Sequence, residues 1–412
     1  MGKAELKISK FNVKIGVEGR DFIYNTITDN FLLDKGFDWE QIDEMDQDIQ
    51  AQLIRCGFIV DAGIDEKQLI SYSYNAARYN SRILNIFLIP SMVCNFSCDY
   101  CFANHANQDR MDKKTANSVL AFLLSLSRNA EQINITWGGG GEPLTAVDTI
   151  IYLESRLRNR TSVPVYSTVI TNGSLLDEAT IGKLKKAGLQ KIVVTLDGPA
   201  EIHNRRRKTK DGGETFDCIK DNLALTVGAL DIVVRMVIDQ DNYHSIDDLI
   251  DSLRDIGSNN LQFTLSPRMY CNSSCTTKIL ESKTFAKMLS SSDKYKNCYW
   301  GGLKPYLSIC NAQRNFDFAI DPRGNMYKCP VEMGDESYKI GSTEEGITTN
   351  QTFLDWMSYC PEVKEKCYAC KYLPVCISLC AKVRDQYVEQ FGCKQLSLLC
   401  ESVIKNRVKK WL

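Results

Sequence analysis

The sequence predicts an α/β protein in three parts: a small α/β module over residues 1–80, a unit of parallel strands and crossover helices over 81–268, and a bridging, cysteine-rich segment over 269–412. Strand-length apolar segments alternate with helical ones from residue 82 to residue 265, which implies a parallel sheet with right-handed crossovers. Four motifs, CNFSCDYC (94–101), GGGGEP (138–143), TNG (171–173) and DGP (197–199), each lie just after a strand. In parallel α/β sheets and barrels those are the carboxyl ends, where sites are built. Twelve of the 17 cysteines fall after residue 268, where the alternation stops.

In the first part, FNVKIGVEG, RDFIYNT and NFLLDKG predict short strands. WEQIDEMDQDIQAQLIRCG (39–57) predicts an acidic amphipathic helix with a solvated face, and Ser71–Asn80 reads as a link onward. In the second part, RILNIFLI (82–89) predicts a buried strand followed by Pro90. KTANSVLAFLLSLSR (114–128) has helical apolar spacing, and QINITW (132–137) is a strand that runs into glycines. The segment 147–158 is helical, PVYSTVI (164–170) is a strand, and LLDEATIGKLKKAG (175–188) is a helix closed by glycine. KIVVTL (191–196), DIVVRMVI (231–238) and LQFTL (261–265) complete six strands, with helices over 216–228 and 244–256 between them. Beyond residue 266 the helix signals thin out.

Apolar residues make up 44% of the chain and charged residues 25%, as in an ordinary soluble globular protein. The net charge of -1 offers no electrostatic footprint for nucleic acid or an anionic membrane. The most apolar run, ILNIFLIP (83–90), is too short to span a bilayer. No signal-peptide core opens the sequence, so the expected location is the cytoplasm. Abundant cysteine in that reducing compartment argues for metal or catalysis over disulfides. The three histidines, His105, His203 and His244, follow no cysteine pair at zinc-finger spacing, which points toward iron–sulfur clusters held by thiolates.

Cys94, Cys98 and Cys101 stand within eight residues, and the next cysteine is Cys218. A four-iron cluster takes four thiolates when fully ligated. Three leave one iron open for a substrate or cofactor, as catalytic zinc keeps a position open. A structural zinc site is the alternative, although zinc ribbons favour cysteines paired two residues apart. GGEP (140–143) suits a ligand rim. Glycine lets backbone approach closely, the Glu142 carboxylate can meet an ammonium through a charge-assisted bond, and Pro143 is expected to end the strand.

The spacing of three then two intervening residues, with aromatic Tyr100 before the last cysteine, resembles the signature of the radical S-adenosylmethionine (radical SAM) family. The resemblance implies a partial (β/α)6 barrel with a [4Fe–4S] cluster on Cys94, Cys98 and Cys101. It implies S-adenosylmethionine chelated at the open iron and cleaved by one electron to a 5′-deoxyadenosyl radical that abstracts hydrogen. Gly140, Gly141, Glu142 and Pro143 resemble the family's GGEP motif, which meets the methionine amino group. VITNGSLL (169–176) and VTLDGPAEIHNRRR (194–207) resemble segments lining the cofactor. The implied cofactor contacts are Tyr100, the GGEP residues, Thr195, one of Arg205–Arg207, and Arg235. A mid-strand arginine such as Arg235 is as often half of a structural ion pair.

Cys310, Gly324 and Cys329, then Cys367, Cys370, Cys376 and Cys380 at gaps of two, five and three, then a later cysteine, resemble the SPASM domain. The resemblance implies two auxiliary [4Fe–4S] clusters. One would use Cys367, Cys370, Cys376 and a last cysteine, either Cys393, which is expected to open a helix behind Gly392, or Cys400. The other would use Cys310, Cys329, Cys380 and an upstream ligand, Cys298 in preference to Cys271 or Cys275. Cys56, Cys218 and Cys360 have no partner pattern and read as structural.

SPASM enzymes act mostly on peptides and proteins. Sulfatase-maturing members typically place an aspartate base after the second SPASM cysteine, whereas Pro330 follows Cys329 here. They also usually start near the first barrel strand, and here about 80 residues precede it. Those residues resemble the element of peptide maturases that captures a leader as an added strand; a structural cap on the barrel is the other reading. The implied function is thioether cross-linking of a ribosomally made precursor peptide that carries a leader, with electrons from a flavodoxin or ferredoxin. Carbon–carbon cross-linking, epimerisation, formylglycine generation and, outside enzymes, iron–sulfur electron transfer are the alternatives. Beyond the cofactor contacts, the sequence singles out no catalytic residue.

Overall fold

The computed structural model describes residues 5–36, 38–101, 103, 107–256, 261–268, 279–300, 303–359 and 365–412. The chain divides into two compact units. One holds residues 79–280 and 311–359, the other residues 1–78, 281–310 and 360–412.

The six expected strands build the first unit: β1 (Ile83–Leu88), β2 (Gln132–Trp137), β3 (Val165–Thr171), β4 (Lys191–Thr195), β5 (Asp231–Ile238) and β6 (Leu261–Pro267). Each pairs in parallel with the next in sequence order. The crossovers carry α1 (Lys113–Ser127), α2 (Val147–Arg158), α3 (Glu178–Lys186), α4 (Phe216–Thr226) and α5 (Ile246–Ser252). Asp112 and Asp177 start α1 and α3 by accepting the N–H of Thr115 and Thr180, each at 2.7 Å, a cap worth about 1 kcal/mol. Strand order without a β1–β6 pairing makes an open, partial barrel.

The strands alternate in burial, with Leu84, Ile86 and Leu88 of β1 and Ile133, Ile135 and Trp137 of β2 all fully covered. Covering one such side chain contributes roughly 1.5–3 kcal/mol. The opposite strand face therefore supplies Phe87, Ile170, Arg235 and Val237 to an interior cavity.

The sheet also grows on the far side of β1, which sequence periodicity did not foretell. β7 (Phe318–Ile320) pairs in parallel with β1, and β8 (Asn325–Tyr327), β9 (Gly341–Ser342) and β10 (Gly346–Ile347) follow as antiparallel neighbours. Asp317 fixes the junction, accepting the Asn85 side-chain amide at 2.9 and 3.0 Å.

In the second unit the three short strands form as expected: Asn12–Val17, Arg20–Asn25 and Phe31–Leu33 make an antiparallel sheet. Three expectations need correction. The acidic stretch 39–57 is two helices, a 3-10 segment Trp39–Glu44 and an α-helix Gln47–Arg55, because Asp46 caps the second by accepting from Asp48 and Ile49. Ser71–Asn80 is not a link: most of it lies in a helix, Glu66–Arg78, whose Ile70 and Tyr74 share a core with Phe11, Leu373 and Ile377. Helices also persist past residue 266, at Ser282–Ser291 and Ala381–Lys409. The latter bends at Gly392 (φ 79°, ψ 161°). No helix among the described residues is long and apolar enough to cross a membrane.

Candidate active site at the open end of the barrel

A cavity of about 270 Å³ opens at the carboxyl ends of the strands. Cys94, Cys98, Cys101 and Tyr100 enter it from the loop after β1. Gly139–Glu142 enter after β2, Thr171 and Asn172 from the end of β3, and Thr195 and Arg235 from β4 and β5. Arg207 and Pro330 complete the wall. The structure thus gathers every cofactor-contact residue expected from the sequence except Pro143, which stands one residue behind the wall.

The glycine run is fitted against the chain entering the cysteine loop. Gly141 N–H donates to the Ser91 carbonyl at 3.0 Å and Glu142 N–H to that of Val93 at 2.9 Å. A Cβ on Gly141 would stand 2.2 Å from the Val93 carbonyl oxygen, so only glycine fits. Pro143 does not end β2, which stops at Trp137. It opens a 3-10 turn, Pro143–Ala146, where its missing N–H leaves no gap in the hydrogen bonding.

Glu142 is 2% exposed. Its Oε1 accepts from Leu144 N–H at 3.1 Å and from the Thr171 hydroxyl at 2.6 Å, and its Oε2 accepts from Asn172 N–H at 2.7 Å. Burial raises its pKa; bonds from Asn172, Thr171 and Leu144 act the other way. Of a carboxylate's four or so acceptor positions, three are filled and one remains, on Oε2.

Tyr100 is fixed by groups from four segments, of which sequence reasoning named the Arg205–Arg207 run and the DGP motif but not Asp239 or Arg268. Its hydroxyl donates to Asp197, of the DGP motif, and accepts from Arg207 Nη1 at 2.6 Å. The guanidinium groups of Arg206 and Arg268 each stand 5.0 Å from its ring centre, within cation–π range. Arg206 is forked onto Asp239 at 3.1 and 2.7 Å. Burial pushes the phenol well above its ordinary pKa. Asp197, Asp239 and Arg268 follow β4, β5 and β6, and rim position was the one signal that marked them. Of the NRRR run, Arg207 faces the cavity, Arg206 turns to Asp239, and Arg205 is exposed.

Burial raises the Cys94 thiol and pushes Cys98 up to about 11, while Arg207 pulls Cys98 back. Among the described residues no three His, Cys, Asp or Glu side chains are already gathered to hold a metal. Neutral thiols need not converge, and ligation releases their protons. Three thiols on one wall, a guanidinium beside them and a Cβ-free glycine approach fit an iron–sulfur cluster with a small ligand above it.

In the second unit, burial pushes the Cys376 thiol up to about 12, and Cys370, Cys367 and Cys393 lie close enough to add to the shift. Cys400 is fully buried beside Cys376 and Cys370. Cys393 is exposed and directly follows Gly392, whose non-helical backbone splits Ala381–Lys409 into two helical stretches, so it opens the second stretch as expected. Cys380 stands at the helix N-cap, and Cys298 is buried with its Sγ 3.6 Å from the Lys294 carbonyl. Cys310 falls in this unit and Cys329 in the barrel unit. Cys56 packs at a core edge and Cys218 is exposed. Cys271, Cys275 and Cys360 lie outside the described residues.

The barrel, the cysteine triplet and the glycine-rich rim define a class, and the comparisons agree with it. The profile of the radical SAM superfamily matches residues 88–253. The cysteine-type anaerobic sulfatase-maturating enzyme of Clostridium perfringens is 23% identical over 354 residues, 77% of this chain and 94% of that one. Among solved structures, anSMEcpe with bound AdoMet matches with a TM-score of 0.65 at 20% identity, over 79% of this chain and 98% of the other. Streptococcus suis SuiB bound to precursor peptide SuiA matches with a TM-score of 0.57 at 14% identity, over 91% and 95%. Residues 88–253 are thus a radical SAM domain, and a SPASM-like cysteine-rich C-terminal region follows it.

Proposed function

We propose that this enzyme modifies a ribosomally made precursor peptide by joining a substrate cysteine sulfur to carbon. The observation that carries this reading is Pro330. It lies in the cavity wall, at the position where sulfatase-maturing relatives are expected to present an aspartate base. Among the described residues Glu142 is the one acidic side chain lining the cavity, and three protein donors already hold it. A site without a free base suits a substrate that loses an acidic proton, as a thiol near pKa 8.5 does. The likeness to a structure described as SuiB bound to its precursor peptide supports a peptide as the substrate.

When bound, the cluster and S-adenosylmethionine supply a 5′-deoxyadenosyl radical for hydrogen abstraction. The chain's own residues hold and orient the reactants. Cys94, Cys98 and Cys101 ligate the cluster. The free position on Glu142 Oε2 receives the cofactor ammonium, with Gly140 and Gly141 letting it approach. Arg207 and Thr195 receive its carboxylate, and Tyr100, pinned by Asp197 and Arg207, walls the pocket. Cys367, Cys370, Cys376 and Cys400 would hold one auxiliary cluster. Residues 1–80 dock the leader, and a flavodoxin or ferredoxin gives the electron.

Anaerobic reconstitution tests this. Three filled clusters give about twelve irons. Reduced protein should then cleave S-adenosylmethionine and, with a short cysteine-bearing peptide encoded beside its gene, remove two hydrogens and one free thiol per event. Zinc in place of iron, or iron without cleavage, overturns the enzyme reading. Formylglycine formation in a sulfatase peptide favours the second reading.

A further inference from the structure

Arg235 is a half-buried cation whose side chain meets no anion among the described residues. It sits mid-strand in β5 with Thr195 of β4 as its register partner, and both line the cavity. Strand alternation explains its direction. Val234 and Met236 are fully buried in the core, so Arg235 and Val237 point the other way, into the cavity. The structural ion pair that a mid-strand arginine can signify is not found: among the described residues the Arg235 side chain has no hydrogen-bond or salt-bridge partner. Burial lowers its pKa, the neutral Tyr100 phenol acts the other way, and the neighbouring cation Arg207 adds to the lowering. Arg207 differs. It is bonded to Tyr100 and has the Asp197 carboxylate close enough to compensate its charge.

A partly desolvated charge without a counter-ion is unfavourable, and arginine does not shed its proton to escape that cost. A guanidinium fork matches a carboxylate. The cofactor brings one carboxylate, and Arg207, beside Cys98, stands nearer the cysteine loop. A partner for Arg235 must then come from the substrate.

We propose that Arg235 is a specificity-determining residue that receives a carboxylate of the substrate peptide, from an aspartate or glutamate at or beside the modified residue or from the peptide's C-terminus. The proposal rests on the peptide-modifying reading above.

The test is calorimetric titration of reconstituted protein with S-adenosylmethionine present and no reductant. The probes are acetyl-Gly-Asp-Gly-amide, acetyl-Gly-Asn-Gly-amide, acetyl-Gly-Gly-Gly with a free carboxylate, and glutarate. At least one carboxylate peptide should bind tenfold or more tighter than the asparagine peptide, and which one it is separates side chain from C-terminus. Arg235→Gln should erase that preference and Arg235→Lys should keep part of it. Equal binding of all three peptides, or a preference that survives Arg235→Gln, overturns the proposal. So does a tenfold loss of S-adenosylmethionine affinity in Arg235→Gln with the peptide preference intact, which would make Arg235 a cofactor contact. Glutarate binding that depends on Arg235, with no peptide bound, supports the carboxylate contact and overturns the peptide reading instead.

Discussion

The hydroxyl of Tyr100 and the guanidinium of Arg207 meet at 2.6 Å, tying the cysteine loop to the segment that follows β4. With Asp197 as acceptor on the other side, the phenol is bonded twice by buried charged groups. Tyr100→Phe removes both bonds at once and leaves those charges short of a partner, at about 1–3 kcal/mol. Lower unfolding free energy in denaturant, together with weaker S-adenosylmethionine binding, is the expected result.

Glu142→Gln keeps the shape and removes the charge. Asn172 N–H keeps its acceptor only if the new amide group turns toward the Thr171 hydroxyl. Charge-assisted bonds contribute about 1.5–3 kcal/mol, so S-adenosylmethionine affinity should fall about 10- to 100-fold. Equilibrium binding to the reconstituted, unreduced protein checks this.

Gly141→Ala places a methyl against the backbone of Val93, which cannot swing away as a side chain would. The displaced strand-to-loop contact carries the cysteine loop with it. Iron retained after reconstitution and desalting should drop by about four per chain, the content of one cluster.

Cys400 and Cys393 should part ways in the same assay. Cys400 is enclosed beside Cys370 and Cys376, whereas Cys393 is exposed. Cys400→Ser should lose about four irons and Cys393→Ser none.

His203 predicts a pH dependence of stability away from the clusters. Its ring is fully buried, with Nδ1 accepting from Asp197 N–H at 3.4 Å and Nε2 3.1 Å from the Thr215 hydroxyl. Burial holds its pKa well below the ordinary value of 6.5. The unfolded chain therefore binds a proton that the folded chain refuses, and stability declines as pH falls below about 6.5. Denaturant unfolding at pH 7.5 and 5.5 should show that loss, and His203→Gln should flatten it.

The six barrel strands were legible because each runs five to eight residues and four of the motifs fall at one rim. β7–β10 were not, since strands of two or three residues carry no period. The Ala381–Lys409 helix was hidden for a related reason. Its apolar stripe at Leu396, Leu399, Cys400, Val403 and Ile404 follows helical spacing, but the Gly392 bend resets the phase against Tyr387. In the site, the cysteines, glycines and Glu142 announced themselves by spacing. The supports of Tyr100 did not, because Asp197, Asp239 and Arg268 meet only once three strands lie side by side.

The shared core of Phe11 with Leu373 and Ile377, and the clasp of Arg407 on Asp29 across 378 positions, bear on how the polypeptide is made. The opening stretch leaves the ribosome long before its closing counterpart exists. At roughly 5–20 residues per second that delay is about 20–75 s. Until then its apolar strands have no permanent home, and nascent chains should depend on holding chaperones more than the barrel alone would require.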